Sequence, residues 1–257
     1  MERLTYRRKS GINGNALRAW ALLFLAIGVV GRGVIQHQIL GIGRVTMTEL
    51  LETMNTSADA MILATVSLIF QALETCAVPI FALFVVEGVK HTKDFKAYVL
   101  RIAVLALICE IPHNLAFGSK LFLTSGRNPV FGVLLSLIML YFYRHYAGWQ
   151  LKNVLIKIVV CAAAVIWSEM LKIEFGAGMV LIVTTLWAFR AKVLYRNLAG
   201  AVATILCTVF SPFYFAAPMG FLAVFFYNEE KGTTSRLMNY GAYPVMLIVA
   251  AAAGYFL

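Results

Sequence analysis

The sequence predicts an all-α protein: a polytopic transmembrane bundle of about nine spans with its amino terminus in the cytoplasm. Three observations predict it. Hydrophobic residues make up 61% of the 257-residue chain and charged residues only 13%, about half the charged share of a soluble domain. The mean hydropathy is +0.82. The apolar residues fall in long runs separated by short basic segments, the pattern of spans joined by positive-inside loops. At about 20 residues a span these runs use up the sequence, so residues 1–257 read as a single integral membrane domain whose surroundings are the lipid bilayer. The net charge of +10 belongs to topology: the bases are scattered and form no nucleic-acid-binding stripe. Cys76, Cys109, Cys161 and Cys207 each stand alone in an apolar run and read as small hydrophobes, neither disulfides nor zinc ligands.

Residues 1–18, with Arg3, Arg7, Arg8, Lys9 and Arg18, form a basic cytoplasmic amino-terminal segment. The first span follows from Ala19 to about Leu40; it lacks an A-x-A cleavage site and so is expected to stay uncleaved. Thr46 and Glu49 make a capping box, and Met47, Leu50, Leu51 and Met54 recur at helical spacing. Residues 46–57 are therefore expected as an amphipathic helix on the outer interface. The second span, about Asp59 to Gly88, is long and contains Pro79, so it should be tilted or kinked. After a loop with Lys90, Lys93 and Lys96, the third span runs from about Tyr98 to Phe117, interrupted by Pro112. The fourth runs from about Pro129 to Tyr143. Later spans are about Val154 to Met170, Gly178 to Phe189, Leu198 to Phe210, Phe213 to Tyr227 and Met238 to Leu257. The uncharged, proline-flanked turn Ser211 to Pro218 suits either one re-entrant element or two spans.

Charge tests this order. With the amino terminus inside, the bases of 1–18, Lys90, Lys93, Lys96, Arg144, Lys152, Lys157, Arg190, Lys192, Arg196, Lys231 and Arg236 fall on the cytoplasmic side. Only Arg44, Lys120, Arg127 and Lys172 fall opposite, which is the asymmetry that sets orientation. Omitting one span would reverse every later loop. The clusters Tyr141-Phe142-Tyr143 and Phe225-Phe226-Tyr227 at cytoplasmic span ends read as interfacial aromatic belts.

Ionisable residues inside spans cost about 2.5–3.5 kcal/mol each on insertion scales and mark function by default. Counting helical rise, Arg32, Glu74, Glu110 and His113 lie in the middle to outer half of the bilayer, and Glu87, His91 and Arg101 near its cytoplasmic face. Glu110, His113 and Asn114 share one face of a helix, where Pro112 frees a carbonyl; Gln71, Glu74 and Thr75 repeat that spacing. Glu87 lies one turn from His91, so the carboxylate can orient the imidazole or share its proton. Arg101 is the natural counter-charge for Glu87. Plainer readings stand beside these: such pairs can simply hold helices together, and His91 between Lys90 and Lys93 can be a solvated loop residue. The Glu/His pairs also suit carboxylate-bridged metals, but one pair lies at each membrane face, and no metal centre is predicted.

Ala77 to Thr92, AVPIFALFVVEGVKHT, followed by Arg101 and then Glu110-Ile111-Pro112, resembles the central signature of the TraX family of bacterial membrane proteins. There an F-P-I-F-A-F-x-x-V-E-G-x-x-H-T run precedes an arginine and an S-E-I-P motif. The resemblance covers about Thr75 to Tyr143 and implies a multi-pass protein of the bacterial inner membrane. Its namesake acetylates the amino terminus of conjugative pilin, so acetyl-CoA or another acyl-CoA is the implied donor. Two departures stand out. The family's Asp-His pair near the end of the first span aligns here with Gly28 and Val29, and its Y-P-L-H reads Tyr243-Pro244-Val245-Met246.

Three functions follow. The first is an acyltransferase carrying an acetyl-type group from acyl-CoA to an amine or hydroxyl on a peptide, lipid or glycan. In it His91 and Glu87 would be the base or proton shuttle, Glu110 and His113 would be further catalytic residues, with His113 a candidate base in place of the missing histidines, and with Asn114 they would line the outward route. Arg101 would hold the CoA phosphates or Glu87, Lys90 would suit the anionic donor, and Glu74 and Arg32 would complete the substrate site. The second is a transporter of a small molecule or lipid. The third is a non-catalytic membrane scaffold, working with a membrane-protein partner or as a homo-oligomer.

Overall fold

Asn13 starts the bundle: its side chain accepts a hydrogen bond from the Ala16 amide at 3.0 Å, and the first helix, α1, runs Gly14–Val29. The computed structural model describes residues 11–42, 45, 47–118, 121, 126–230, 232 and 236–253. Residues 1–10, Arg44, Thr46, Lys120 and Lys231 lie outside the described residues, as do the side chains of Met47, Leu50, Leu51, Met54 and Arg236.

The described residues form a helical bundle, as expected. α1 continues without a break into a π-helical segment, Val30–Ile39, a wide winding that often sits at functional positions. A separate short helix, α2, spans Met47–Thr56, where the interfacial helix was expected. The second span is two helices in line, α3 (Ala58–Glu74) and α4 (Ala77–His91), divided at Thr75–Cys76. The division lies just before Pro79, whose ring opposes the carbonyl four residues back and which is tolerated in a first helical turn. Thr75 secures the joint by donating its hydroxyl to the carbonyls of Ala72 and Phe213, at 2.7 and 3.1 Å.

α5 (Phe95–Gly118) runs through Pro112 as one helix, so the expected interruption does not occur. A single missing hydrogen bond is compensated by its neighbours within a bundle. Then follow α6 (Val130–His145), α7 (Leu151–Met170), α8 (Gly176–Ala188) and α9 (Val193–Leu206). At Ser211 to Pro218 short 3-10 turns at Pro212–Phe215 and Ala217–Met219 lead into the six-residue α10 (Gly220–Phe225). α11 spans Arg236–Ala253.

Among the described residues three helical stretches are long and apolar enough to cross a bilayer: Gly14–Ile39, Ala58–His91 and Leu151–Met170. The shorter apolar helices sit beside or behind them. α8, about 20 Å long by helical rise, is too short for the roughly 30 Å hydrocarbon core, and it has no need to span it. It is the central pillar, packed by α4, α6, α7 and α9, with Val180, Ile182, Val183 and Leu186 wholly buried. α7 is the opposite case: Ile158, Val159, Ile166 and Trp167 are exposed, an apolar face suited to lipid. Tyr143 and Tyr227 are buried in the core, so only part of each aromatic cluster can form a belt. Successive side chains on a helix turn by about 100°, and one of three must point inward.

Loop contacts define two faces. Ile12 and Gly14 bond with the chain at 226–230 on one, and Arg127 bonds with Lys172 and Glu174 on the other. His91 lies at the first, and described bases concentrate there. α4 packs on α8, α1 and α10, whereas α5 packs on α11 and α6; the two sequence neighbours diverge and leave space between them. Burial decides which truncations hurt. Leu83→Ala, at a wholly buried position on α4, is expected to lower unfolding stability by about 2–5 kcal/mol. Val159→Ala on the exposed face of α7 is expected to change it by under about 0.5 kcal/mol, both read by denaturation of the detergent-solubilised chain.

Candidate functional site

The space between α4 and α5 is a cavity of about 530 Å³. Its mouth, on the His91 face, holds Arg18, Glu87, His91 and Arg101; Tyr98, Tyr240 and Phe84 form its walls, and Glu74 and Phe175 its inner end. From His91 to Glu74 is about 25 Å of helix, so one chamber joins the two polar layers.

At the mouth, Glu87 is surrounded by two basic side chains and an imidazole. Lys90 Nζ lies 2.8 Å from Oε1, His91 Nε2 3.3 Å from Oε2, and Arg196 Nη1 3.5 Å from Oε1. The expected Glu87–His91 pair is therefore present. Arg101 is not the partner of Glu87: its Nε donates to the Ala97 carbonyl one turn back, because α5 leans away from α4, and Arg101 faces Glu87 across the cavity instead. Arg196 of α9 takes that role. The sequence places it at a helix start like any loop base, yet its side chain is 1% exposed, and it also reaches Glu229 at 3.6 Å. Its burial follows from α9 and α10 packing on each other, which no local pattern reveals. His91, by contrast, is half exposed at 50%, on the rim of the chamber.

The deeper layer is a buried charge network. Arg32, on the π-helical segment, donates to Glu74 Oε1 at 2.8 Å and pairs on its other side with Glu174. His113 Nε2 lies 3.2 Å from Glu174 Oε2. The guanidinium is sandwiched by Phe117 and Phe175, 4.5 and 5.7 Å from the ring centres, contacts that suit a desolvated cation. Glu174 and Phe175 precede α8 and carry no helical periodicity, and nothing in their local sequence marks them. Phe175 has a left-handed backbone, with φ of 54°, which turns its ring into the site.

Glu110, His113 and Asn114 do point together, but away from the 530 Å³ chamber. Glu110 accepts from Arg127 at 2.9 Å and from the Asn128 amide nitrogen at 2.7 Å, and Asn114 donates to the Leu121 carbonyl. These bonds fasten the α5–α6 connection at the second face. Arg127 and Asn128 were missed by sequence reasoning because they read as a loop.

A second cavity, of about 380 Å³, opens beyond Glu74, with Arg32, Gln71, Glu174, Phe175 and Tyr214 among its walls. Glu74 and Phe175 line both cavities and form the partition between them. Glu74 is 1% exposed, and its Oε2 has no hydrogen-bond partner among the described residues. Gly28 makes this possible: a Cβ there would collide with the Glu74 carboxylate. The TraX resemblance puts an aspartate at this position, and in this chain a carboxylate fills the same space from α3 instead. Met246, at the position of the second absent histidine, is partly buried on α11 beside Tyr243, which lines the first cavity.

Breaking a buried pair leaves a charge without compensation. Arg32→Ala is expected to lower stability by about 3–5 kcal/mol, whereas Arg127→Ala, removing a 46% exposed partner of Glu110, is expected to cost under about 1 kcal/mol. Denaturation of the two variants in detergent measures the difference.

No curated protein and no solved structure gives a significant match to this chain. The family model described as TraX protein matches residues 14–252, which takes in both cavities and every residue of the buried charge network. The chain belongs to the TraX family.

Proposed function

We propose that this protein is a multi-pass acyltransferase of the bacterial inner membrane, taking an acetyl-type group from acyl-CoA presented at the His91 face. The observation that carries the reading is the shape and charge of the first cavity: a cationic mouth, largely apolar walls and one carboxylate at the inner end. An acyl-CoA has the matching polarity. Its phosphates are multiply anionic, its pantetheine arm is slender and mostly uncharged, and its thioester is held far from the phosphates. Arg18 and Arg101 at the mouth suit the phosphates as hydrogen-bond donors and charges, and His91 as a hydrogen-bond donor, with Lys90 adding charge beside Glu87. The arm then lies between α4 and α5, and the thioester reaches the Glu74 end.

The positive-inside bias supports placing this mouth in the cytoplasm, where acyl-CoA is made. The exposure of His91 on the rim suits a donor-holding role better than that of a base beside the reacting carbonyl, and Glu87 keeps His91, Lys90 and Arg196 in place. Glu110 and Asn114 hold the α5–α6 connection, and His113 supports Glu174.

A transport reading draws on one specific observation: two cavities meet at a shared partition, as alternating-access proteins require. The two readings part on donor chemistry. Labelled acetyl-CoA is expected to bind the purified chain, and Arg101→Ala and His91→Ala are expected to raise the donor KM about ten-fold with kcat changed by less than about three-fold, the signature of lost uniform binding. Steady-state kinetics check this. A collapse of kcat on His91→Ala would return the base to the mouth, and no donor binding at about millimolar concentration would leave the transport reading.

A further inference from the structure

The second cavity has no part in holding the donor, and its wall carries two opposite charges that no neighbouring side chain answers. Glu169, at the end of α7, and Lys172, in the turn before α8, both line it and are both exposed. Among the described residues neither side chain makes a hydrogen bond or an ion pair. Arg32, the other cation on that wall, is already taken up by Glu74 and Glu174. The turn is held in an unfavourable shape: Lys172 and Phe175 both have left-handed backbones, with φ of 51° and 54°, which residues with a Cβ rarely adopt and which gather at binding sites. Arg127 pins it from across the second face, exchanging backbone hydrogen bonds of 3.0 Å with Lys172 and Glu174.

The opposite wall is apolar and faces outward. Phe210 and Phe213, in the turns after α9, line the cavity, and Phe210 and the nearby Val209 and Phe215 are exposed. α3 adds Leu68 and Ile69, also exposed and within one turn of the lining residue Gln71. The Thr75 hydroxyl donates to the Phe213 carbonyl at 3.1 Å and keeps the two apolar segments side by side. In a chain that crosses the bilayer, exposed apolar side chains of this kind meet acyl chains. The cavity is therefore charged at one edge and oily at the other.

We propose that the second cavity seats the headgroup of a zwitterionic phospholipid of the phosphoethanolamine type, drawn from the bilayer half on the Lys172 side, with its acyl chains against Phe210, Val209 and Leu68. The phosphate pairs with the Lys172 ammonium. The headgroup ammonium has three N–H donors for the Glu169 carboxylate, Gln71 and Ser211. A headgroup of net negative charge fits less well, because the wall carries Glu74, Glu169 and Glu174 against Arg32 and Lys172. A soluble zwitterion leaves the apolar flank unused. The inference goes beyond acyl transfer and needs no donor; it places a lipid across the partition of Glu74 and Phe175 from the donor cavity.

The full chain, purified in maltoside detergent, is titrated with dioctanoyl phosphatidylethanolamine, dioctanoyl phosphatidylglycerol and free phosphoethanolamine, and bound ligand is counted by native mass spectrometry. Phosphatidylethanolamine is expected to bind about five-fold or more tighter than phosphatidylglycerol and about ten-fold or more tighter than free phosphoethanolamine. Lys172→Glu is expected to weaken it about five-fold, and Phe210→Ser about three-fold with free phosphoethanolamine unchanged. Lys152→Glu, a charge reversal at the opposite end of α7, is expected to leave binding within about two-fold. An unchanged thermal unfolding midpoint certifies the fold of each variant. Equal binding of the two lipids, free phosphoethanolamine binding as tightly as its lipid, or full binding by the Lys172→Glu chain overturns the proposal.

Discussion

Two carboxylates sharing one buried guanidinium hold the structure's functional half together. Arg32 joins Glu74 and Glu174, and so ties the π-helical end of the first span to the end of α3 and to the turn that starts α8. Charges placed this deep are tolerated only when paired, so the positions of three separate segments are fixed by one cation. Everything that gives the site its shape follows. The break at Thr75–Cys76 is needed to bring Glu74 to the partition, Gly28 is needed to leave it space, and the left-handed Phe175 closes the partition from the other side.

α8 spans only Gly176–Ala188. A pillar about 20 Å long leaves the second face of the bundle hollow, and the 380 Å³ cavity occupies part of that missing depth. On the other side, α4 and α5 diverge because each has better packing elsewhere, α4 on α8 and α5 on α11. Two cavities from opposite faces therefore meet at the pinned carboxylate of Glu74.

Much of the architecture was legible in the sequence. Hydropathy and the apolar runs indicated the helical bundle, and the i, i+4 spacing of Glu87 and His91 gave their contact. What escaped were contacts made by tertiary packing. Arg101 is one short loop from Glu87 in sequence but pairs with its own helix, while Arg196, distant in sequence, arrives from α9. Glu174 sits in a turn without periodicity, yet it pairs with Arg32 and lies within hydrogen-bond distance of His113. Glu110, His113 and Asn114 share a face as their spacing requires, but spacing cannot say what that face meets: Glu110 and Asn114 meet the α5–α6 connection, and His113 meets Glu174. Pro112 promised an interruption that the packed bundle absorbs, whereas Pro79 marks a real division.

The central claim is that an acyl donor enters from the His91 face and gives up its acyl group at Glu74. Sealed vesicles carrying the chain in each orientation, supplied with labelled acetyl-CoA on the outside only and with amine and hydroxyl acceptors on both sides, test it most directly. Incorporation of label only in the orientation that exposes the His91 face, and its loss on Glu74→Gln, is the predicted result. Equal incorporation from both faces, or full incorporation by the Glu74→Gln chain, would contradict it.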